Sequence, residues 1–143
     1  MSKRNLGFIL ALTMLSSEVS LACGGPPTPV LSTHKDDGTQ VGIFISQEQI
    51  EQTEEWRPED GEPPLKVSSA YKIVQEWGRQ QYARYDGVNV RELSLKKYGC
   101  SDVINRWYYI VDLNPVIDGN GLWGSGNWAA VLMDGTVIGP KAF

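Results

Sequence analysis

One strongly amphipathic segment limits the folds that this chain can adopt. Between Ser68 and Tyr85, side chains recur at the three- and four-residue spacing of a helix face; they are Ala70, Ile73, Val74, Trp77 and Gln81, with Tyr82 and Tyr85 widening the stripe. Ser68 or Ser69 can cap this helix, and Asp86-Gly87 is expected to end it. Gly78 costs about 1 kcal/mol relative to alanine inside a helix, which indicates close contact with a sheet.

After this helix the hydrophobic period changes to two, which predicts β-strands. The expected strands are Val88–Tyr98, Trp107–Leu113, Asn127–Met133 and Thr136–Ile138, with another, Val41–Ile45, before the helix. A break in the alternation predicts a bulge near Arg91-Glu92, and Asp134-Gly135 predicts a hairpin turn. The sequence therefore predicts an α+β fold, with one main helix packed on a four- to five-stranded antiparallel sheet.

The first 22 residues have the layout of a signal peptide. Lys3 and Arg4 precede an apolar run, Leu6–Leu15, that is shorter than the about 20 residues needed to span a bilayer. Ser20-Leu21-Ala22 places small residues at both positions that a signal peptidase reads, so we expect cleavage after Ala22. A buried N-terminal helix is the alternative. We expect an exported protein, periplasmic or secreted, with no transmembrane segment in its mature chain.

The net charge argues against nucleic acid as a partner. Removal of the leader takes away Lys3, Arg4 and Glu18 and changes the formal charge from −4 to about −5. The remaining chain carries no basic stripe that would attract phosphate groups.

Two cysteines, Cys23 and Cys100, leave three alternatives. A disulfide between them would suit an oxidising compartment and contribute about 4 kcal/mol in the chain-entropy model. Lipid attachment would anchor the protein to a membrane through Cys23, although Ser20 and Leu21 depart from the usual lipobox. The third alternative is two unpaired thiols.

The chain divides into three parts: a signal peptide (1–22), an N-terminal linker and turn (23–40) and a single α+β domain (41–143). Gly24–Pro29 has the composition of a linker, and Asp36-Asp37-Gly38 is a turn signal. A short helix is expected within Gln47–Glu55. Three prolines and a glycine between Trp56 and Pro64 predict a proline-rich loop, with Trp56 as its buried anchor.

Three segments resemble the PepSY-like domains of exported bacterial proteins, which have the cystatin-like shape of a sheet wrapped on a helix. They are the helix Ala70–Trp77, the strand Trp107–Val111 and the ending Val131–Ile138, in which the turn is shortened to two residues. The resemblance covers residues 66–141. It implies a non-enzymatic domain that modulates secreted peptidases or binds other envelope components.

Residues suited to catalysis are scarce. His34 is the only histidine and lies beside a turn, so a triad or a nucleophilic Cys100 would both depend on it. One histidine and two distant cysteines do not form a zinc-binding pattern. The adjacent carboxylates Glu54-Glu55 point in different directions in any regular element, which favours a solvated face over acid–base work. We expect no catalytic residue, no metal site and no cofactor.

The connection between Asn114 and Trp128 is the candidate functional segment. It is longer than a hairpin requires and interleaves four glycines with Leu122, Trp123 and Trp128. Asp118-Gly119-Asn120-Gly121 lacks the further oxygen ligands of a calcium loop and is typical of a glycine-rich turn. We take Trp123, Trp128, Asp118 and Asn120 as candidate binding residues. The alternative is that Trp123 folds back over the sheet edge.

Export, acidity and the resemblance favour a non-enzymatic binding or inhibitory module of the cell envelope, with an envelope or secreted protein as its partner. An immunity-type protein that neutralises a toxin outside the cytoplasm is the alternative. A small hydrolase using Glu54, Asp112 or Asp118 is the least favoured reading.

Overall fold

In the computed structural model, residues 28–143 are described. The helices are α1 (Gln47–Glu51), a short 3-10 helix (Pro58–Asp60) and α2 (Val67–Gln81). The strands are β1 (Leu31–His34), β2 (Gln40–Ile43), β3 (Gly87–Lys97), β4 (Trp107–Ile117), β5 (Asn120–Gly121), β6 (Trp128–Leu132), β7 (Val137–Ile138) and β8 (Lys141–Ala142). Within this part of the chain, no helix combines the length and the apolar character needed to cross a membrane.

The strands form two antiparallel sheets. The main sheet has five strands in the order β3-β4-β6-β7, with β5 paired to β4. The small sheet has the order β1-β2-β8. The predicted α+β fold, with one main helix on a main sheet of five strands, is confirmed. The predicted bulge is confirmed as well, because the register of β3 against β4 shifts between Val90 and Glu92.

Helix α2 lies on one face of the main sheet and forms the first core with it. The buried residues of this core are Ala70, Val74, Val88, Tyr109, Val111, Leu113, Ala129, Val131 and Met133. The close approach inferred from Gly78 is confirmed, because a Cβ atom at this position would lie 2.8 Å from Cγ1 of Val88 on β3. The Tyr109 hydroxyl donates to the Leu65 carbonyl at 2.7 Å and ties the segment before α2 to β4.

Both predicted ends of α2 were wrong. The N-cap is Lys66 rather than Ser68 or Ser69, and it makes no side-chain capping bond. The N–H groups of Ser69 and Ala70 both donate to the Lys66 carbonyl, so the helix starts two or three residues earlier than predicted. The helix stops at Gln81, and Tyr82 has a φ of −109° that leaves the helical range.

The opposite face of the main sheet is covered by a second core, which the sequence did not predict. Its buried residues are Ile43, Ile45, Ile50, Val103, Tyr108, Ala130, Leu132 and Ile138. They come from β2 and α1 with the segment between them, from the connection between β3 and β4, and from the positions of β4, β6 and β7 that face away from α2. Tyr98 strengthens this layer by donating its hydroxyl to the Ile45 carbonyl at 3.0 Å. Strands β4, β6 and β7 of the main sheet are therefore covered on both faces.

The segment assigned to linker and turn contains a strand. Leu31–His34 forms β1 and pairs with β2 through the turn at Asp36-Asp37-Gly38. This turn is confirmed by the hydrogen bond from the Lys35 N–H to the Thr39 carbonyl at 2.8 Å and by a φ of +83° at Gly38. The predicted signal peptide and cleavage site lie outside the described residues.

The proline-rich loop is anchored as predicted. Trp56 is 8% exposed and packs edge to face on Trp107, with ring centroids 5.4 Å apart. The backbone N–H of Trp56 donates to the Asn105 carbonyl at 2.9 Å, which fixes the start of the loop.

Candidate functional site

The glycine-rich connection after β4 is shorter than the sequence predicted. Strand β4 does not end at Leu113 but continues to Ile117, and β5 pairs back on it through a turn at Asp118-Gly119. The sheet tolerates Pro115 because this part of β4 lies beyond the pairing with β6. The Pro115 carbonyl accepts from the Leu122 N–H at 2.7 Å. The loop therefore spans only residues 122–127.

The predicted binding residue Asp118 lies in the turn between β4 and β5, and Asn120 is the first residue of β5; both are exposed. Asp118 has a φ of +49°, and its N–H donates to the Asp86 carboxylate at 2.6 Å. The Asn120 side chain donates to the Asp118 carbonyl at 3.1 Å. These contacts hold the turn itself. A ligand-binding role for the two side chains stays a prediction.

Trp123 is the most exposed large apolar side chain of the described residues, at 78% of its surface. It does not fold into either core. Its ring lies over the guanidinium of Arg91, with Cζ 4.3 Å from the ring centroid. Arg91 in turn forms an ion pair with Asp112, at 3.2 Å between Nη1 and Oδ2. A cation–π contact at an exposed site contributes about 0.5–1 kcal/mol, enough to orient an indole without burying it.

The bulge in β3 accounts for the position of the Arg91 side chain. Arg91 is the extra residue between Val90 and Glu92, which pair with Leu113 and Asp112 respectively. A bulge commonly redirects the side chain of its extra residue. Here Arg91 contacts both the β4 carboxylate and the loop above it. The sequence predicted the bulge but not the ion pair, because the strand register that makes Asp112 a neighbour is set by long-range pairing.

Short contacts on both sides hold the loop that carries Trp123. The Ser125 hydroxyl donates to the carbonyl of His34 in β1 at 3.1 Å. Gly126 has a φ of +86° and lies so close to β2 that a Cβ atom would be 2.9 Å from Cγ2 of Val41. On the helix side, the Tyr82 hydroxyl donates to the Asn127 side chain at 3.3 Å. The loop is therefore fixed to the small sheet and to the end of α2.

The second candidate tryptophan has a different place. Trp128 starts β6 opposite Asp112 and is half-buried against the second core. Of the two tryptophans, only Trp123 is mostly exposed to solvent. We call the surface formed by Trp123, Leu122, Arg91 and Asp112 the Trp123 surface.

The region beneath the Trp123 surface is polar. Strand β3 contributes Val88 and several half-buried apolar residues to the first core but none to the second. Its residues that alternate with Leu93 and Leu95 are Glu92, Ser94 and Lys96, which face away from the helix. Trp123 therefore lies over a guanidinium rather than among the buried residues of either core.

An apolar cleft of about 870 Å³ lies on the other side of the small sheet. Phe44, Tyr98, Tyr108 and Phe143 line it, and Phe44 meets Phe143 edge to face at 5.1 Å. Burial raises the pKa of both tyrosines, so their hydroxyls remain neutral across the physiological range. Cys100 also lines the cleft.

Several other residues considered from the sequence are spread over the molecule. Cys23 lies outside the described residues, so the fate of the two cysteines stays a prediction. His34 is exposed at the end of β1, and Glu54 is exposed after α1. Glu55 forms an ion pair with Arg106 at 3.6 Å. Within residues 28–143, no three histidine, cysteine, aspartate or glutamate side chains are placed to hold a metal ion.

Comparison of the chain with protein-family models, with curated proteins and with solved structures found no match.

Proposed function

We propose that this chain is an exported, non-enzymatic binding module that engages an envelope or secreted protein through the Trp123 surface. The observation that carries the proposal is an indole that is 78% exposed and yet held in place by an ion-paired arginine. Tryptophan and arginine are the residues most enriched among those that dominate binding energies. The α+β arrangement is compatible with the PepSY-like resemblance, and a modulatory role toward secreted proteins belongs to the same proposal.

Preorganisation supports this use of the surface. A partner that must order a loop loses about 0.5–1.5 kcal/mol for each side chain that it immobilises. Here the Ser125, Gly126 and Asn127 contacts already fix the loop, and Arg91 already orients the indole. Most of this entropy is therefore already lost when the chain folds, and binding does not have to offset it.

The experiment starts with affinity capture from an envelope extract, using the mature protein as bait, followed by titration of the captured partner. Trp123→Ala is expected to weaken binding by at least about tenfold, the usual effect of truncating a central aromatic anchor. Arg91→Gln is expected to weaken it less, because the indole remains but loses its support. Circular dichroism should show that both variants are folded.

Tyr71→Ala is the matched control. Tyr71 lies on α2, is 42% exposed and belongs to neither core. Its removal deletes a large exposed aromatic ring without touching the Trp123 surface, so binding should be unchanged. A folded Trp123→Ala protein that binds as tightly as the wild type would refute the proposal.

A further inference from the structure

Strand β3 has a long unpaired edge. It spans 11 residues, and within residues 28–143 its only strand neighbour is β4. An edge strand presents free backbone N–H and C=O groups that can pair with another strand. This edge is distinct from the Trp123 surface, which lies over the bulge at Arg91.

The hydrogen bonds that β3 already makes identify the groups that remain free. The Tyr98 N–H donates to the Arg106 carbonyl at 2.8 Å, which makes this a hydrogen-bonded pair of the antiparallel ladder. Hydrogen-bonded and non-hydrogen-bonded pairs alternate along an antiparallel ladder, so Lys96 and Ser94 also direct their backbone N–H and C=O groups toward β4. Leu93, Leu95 and Lys97 therefore direct their N–H and C=O groups toward the free edge.

In one antiparallel register, the side chains along the edge of one copy of β3 are complementary to those of a second copy. If two copies of β3 pair about a two-fold axis through Ser94, Leu93 of each copy lies opposite Leu95 of the other. Leu93 and Leu95 are half-buried against the first core, so this pairing continues the apolar face beneath the two helices. On the opposite face, Glu92 of each copy lies opposite Lys96 of the other, and opposite charges in such positions attract.

Neighbouring registers lose this match. A shift of the axis to Leu95 places Leu93 opposite Lys97, and a shift to Leu93 places Leu95 opposite Arg91. In the register centred on Ser94, pairing ends where Lys97 would meet the bulged Arg91. Lysines on an edge commonly repel foreign strands, but here Lys96 has a partner in Glu92 of a second copy. We propose that the protein forms a homodimer by antiparallel pairing of residues 92–96 of β3 across a two-fold axis at Ser94.

Pairing of five residues on each chain makes a small interface, so the dimer is expected to be weak and reversible, with a dissociation constant on the order of micromolar to millimolar. Sedimentation equilibrium of the mature protein over a wide concentration range measures this constant. Glu92→Lys and Lys96→Glu each replace two attractive pairs with two repulsive ones, and each should weaken the dimer by about tenfold or more.

The double variant Glu92→Lys/Lys96→Glu restores opposite charges in the same register and should return the constant to within about threefold of the wild type. Both positions are exposed on the strand, so circular dichroism and thermal midpoints are expected to change little. A wild-type protein that remains monomeric at millimolar concentration would overturn the proposal. So would a dimer whose constant ignores the single charge reversals, or a double variant as weak as the single ones.

Discussion

The contact between Gly78 and Val88 allows the packing of helix on sheet to be tested with one methyl group. A Cβ atom at residue 78 would lie 2.8 Å from Cγ1 of Val88, closer than carbon atoms approach in proteins. The other near atoms, at 3.6 Å and 3.8 Å, also belong to Val88. Gly78→Ala therefore creates one collision, with one buried side chain, in the last turn of α2.

Two opposing effects set the size of the change. Alanine favours the helix over glycine by about 1 kcal/mol. Forcing a methyl group into a packed core costs about 1–3 kcal/mol, because a stiff β-branched valine cannot move its methyl groups without rotating or shifting the strand. We expect a net destabilisation of about 1 kcal/mol, or about 4 °C in the thermal midpoint. Urea titration followed by circular dichroism measures it, with an unchanged slope as the test of two-state unfolding.

In a protein that already carries Val88→Ala, the effect of Gly78→Ala on stability is expected to change sign. In a Val88→Ala protein the colliding methyl groups are absent, and the nearest remaining atom is Cβ of residue 88 at 3.8 Å, an ordinary contact distance. Gly78→Ala should then stabilise the protein by up to about 1 kcal/mol through helix propensity alone. Gly87→Ala is the matched control, because nothing lies within 4 Å of its Cβ position. If Gly78→Ala stabilises both backgrounds equally, the inferred collision does not exist.

Two further predictions concern ionisation and the cysteines. Burial raises the pKa of Tyr82 to about 12, above its value of 10 in an unfolded chain. Between pH 10 and pH 12 the Tyr82 hydroxyl keeps its proton in the native state and loses it in the unfolded state. The contribution of Tyr82 to the free energy of unfolding is therefore fully present below pH 10 and is lost as the pH rises toward 12. Tyr82→Phe should flatten that fall in urea midpoints measured across the range, and an equally steep fall would contradict the assignment. We also expect mature protein to contain a Cys23–Cys100 disulfide, so a reductant should lower the free energy of unfolding by about 4 kcal/mol in the wild type and not in Cys100→Ser. An intact mass increased by an acyl group, or one that retains both thiol hydrogens, would contradict it.

The parts of the fold that were predictable from the sequence are those with a local periodicity. The stripe through Ala70, Val74 and Trp77 identifies α2, and the alternation from Trp107 identifies β4 as a strand, because each pattern needs only neighbouring residues. Gly78 was informative for the same reason, since a glycine in a helix requires an explanation. The start of α2 was mispredicted because its N-cap, Lys66, makes no side-chain capping bond and so leaves no signal in the residue type.

The second core was not predictable in this way. Ile43, Ile45 and Ile50 lie on short segments whose burial depends on a sheet formed by residues far along the chain. Strand β8 pairs with β2 across about a hundred residues of sequence, and two residues carry no detectable period. The Trp123 surface was predictable only in part. The composition of the loop predicted Trp123 as a candidate binding residue, but only the register of β3 on β4 brings Arg91 and Asp112 beneath it.

The two proposed surfaces are compatible because the bulge separates them. Edge pairing extends from Glu92 to Lys96 and ends at Arg91, the residue that supports Trp123. A dimer paired in this register would leave the Arg91 guanidinium beneath the indole, and it would carry two copies of the Trp123 surface related by the two-fold axis. Two linked sites raise the apparent affinity for a multivalent partner without any new contact. A weak homodimer is therefore enough to change how this protein binds at a crowded surface, while the loss of pairing in Glu92→Lys would leave the affinity of each single site as it was.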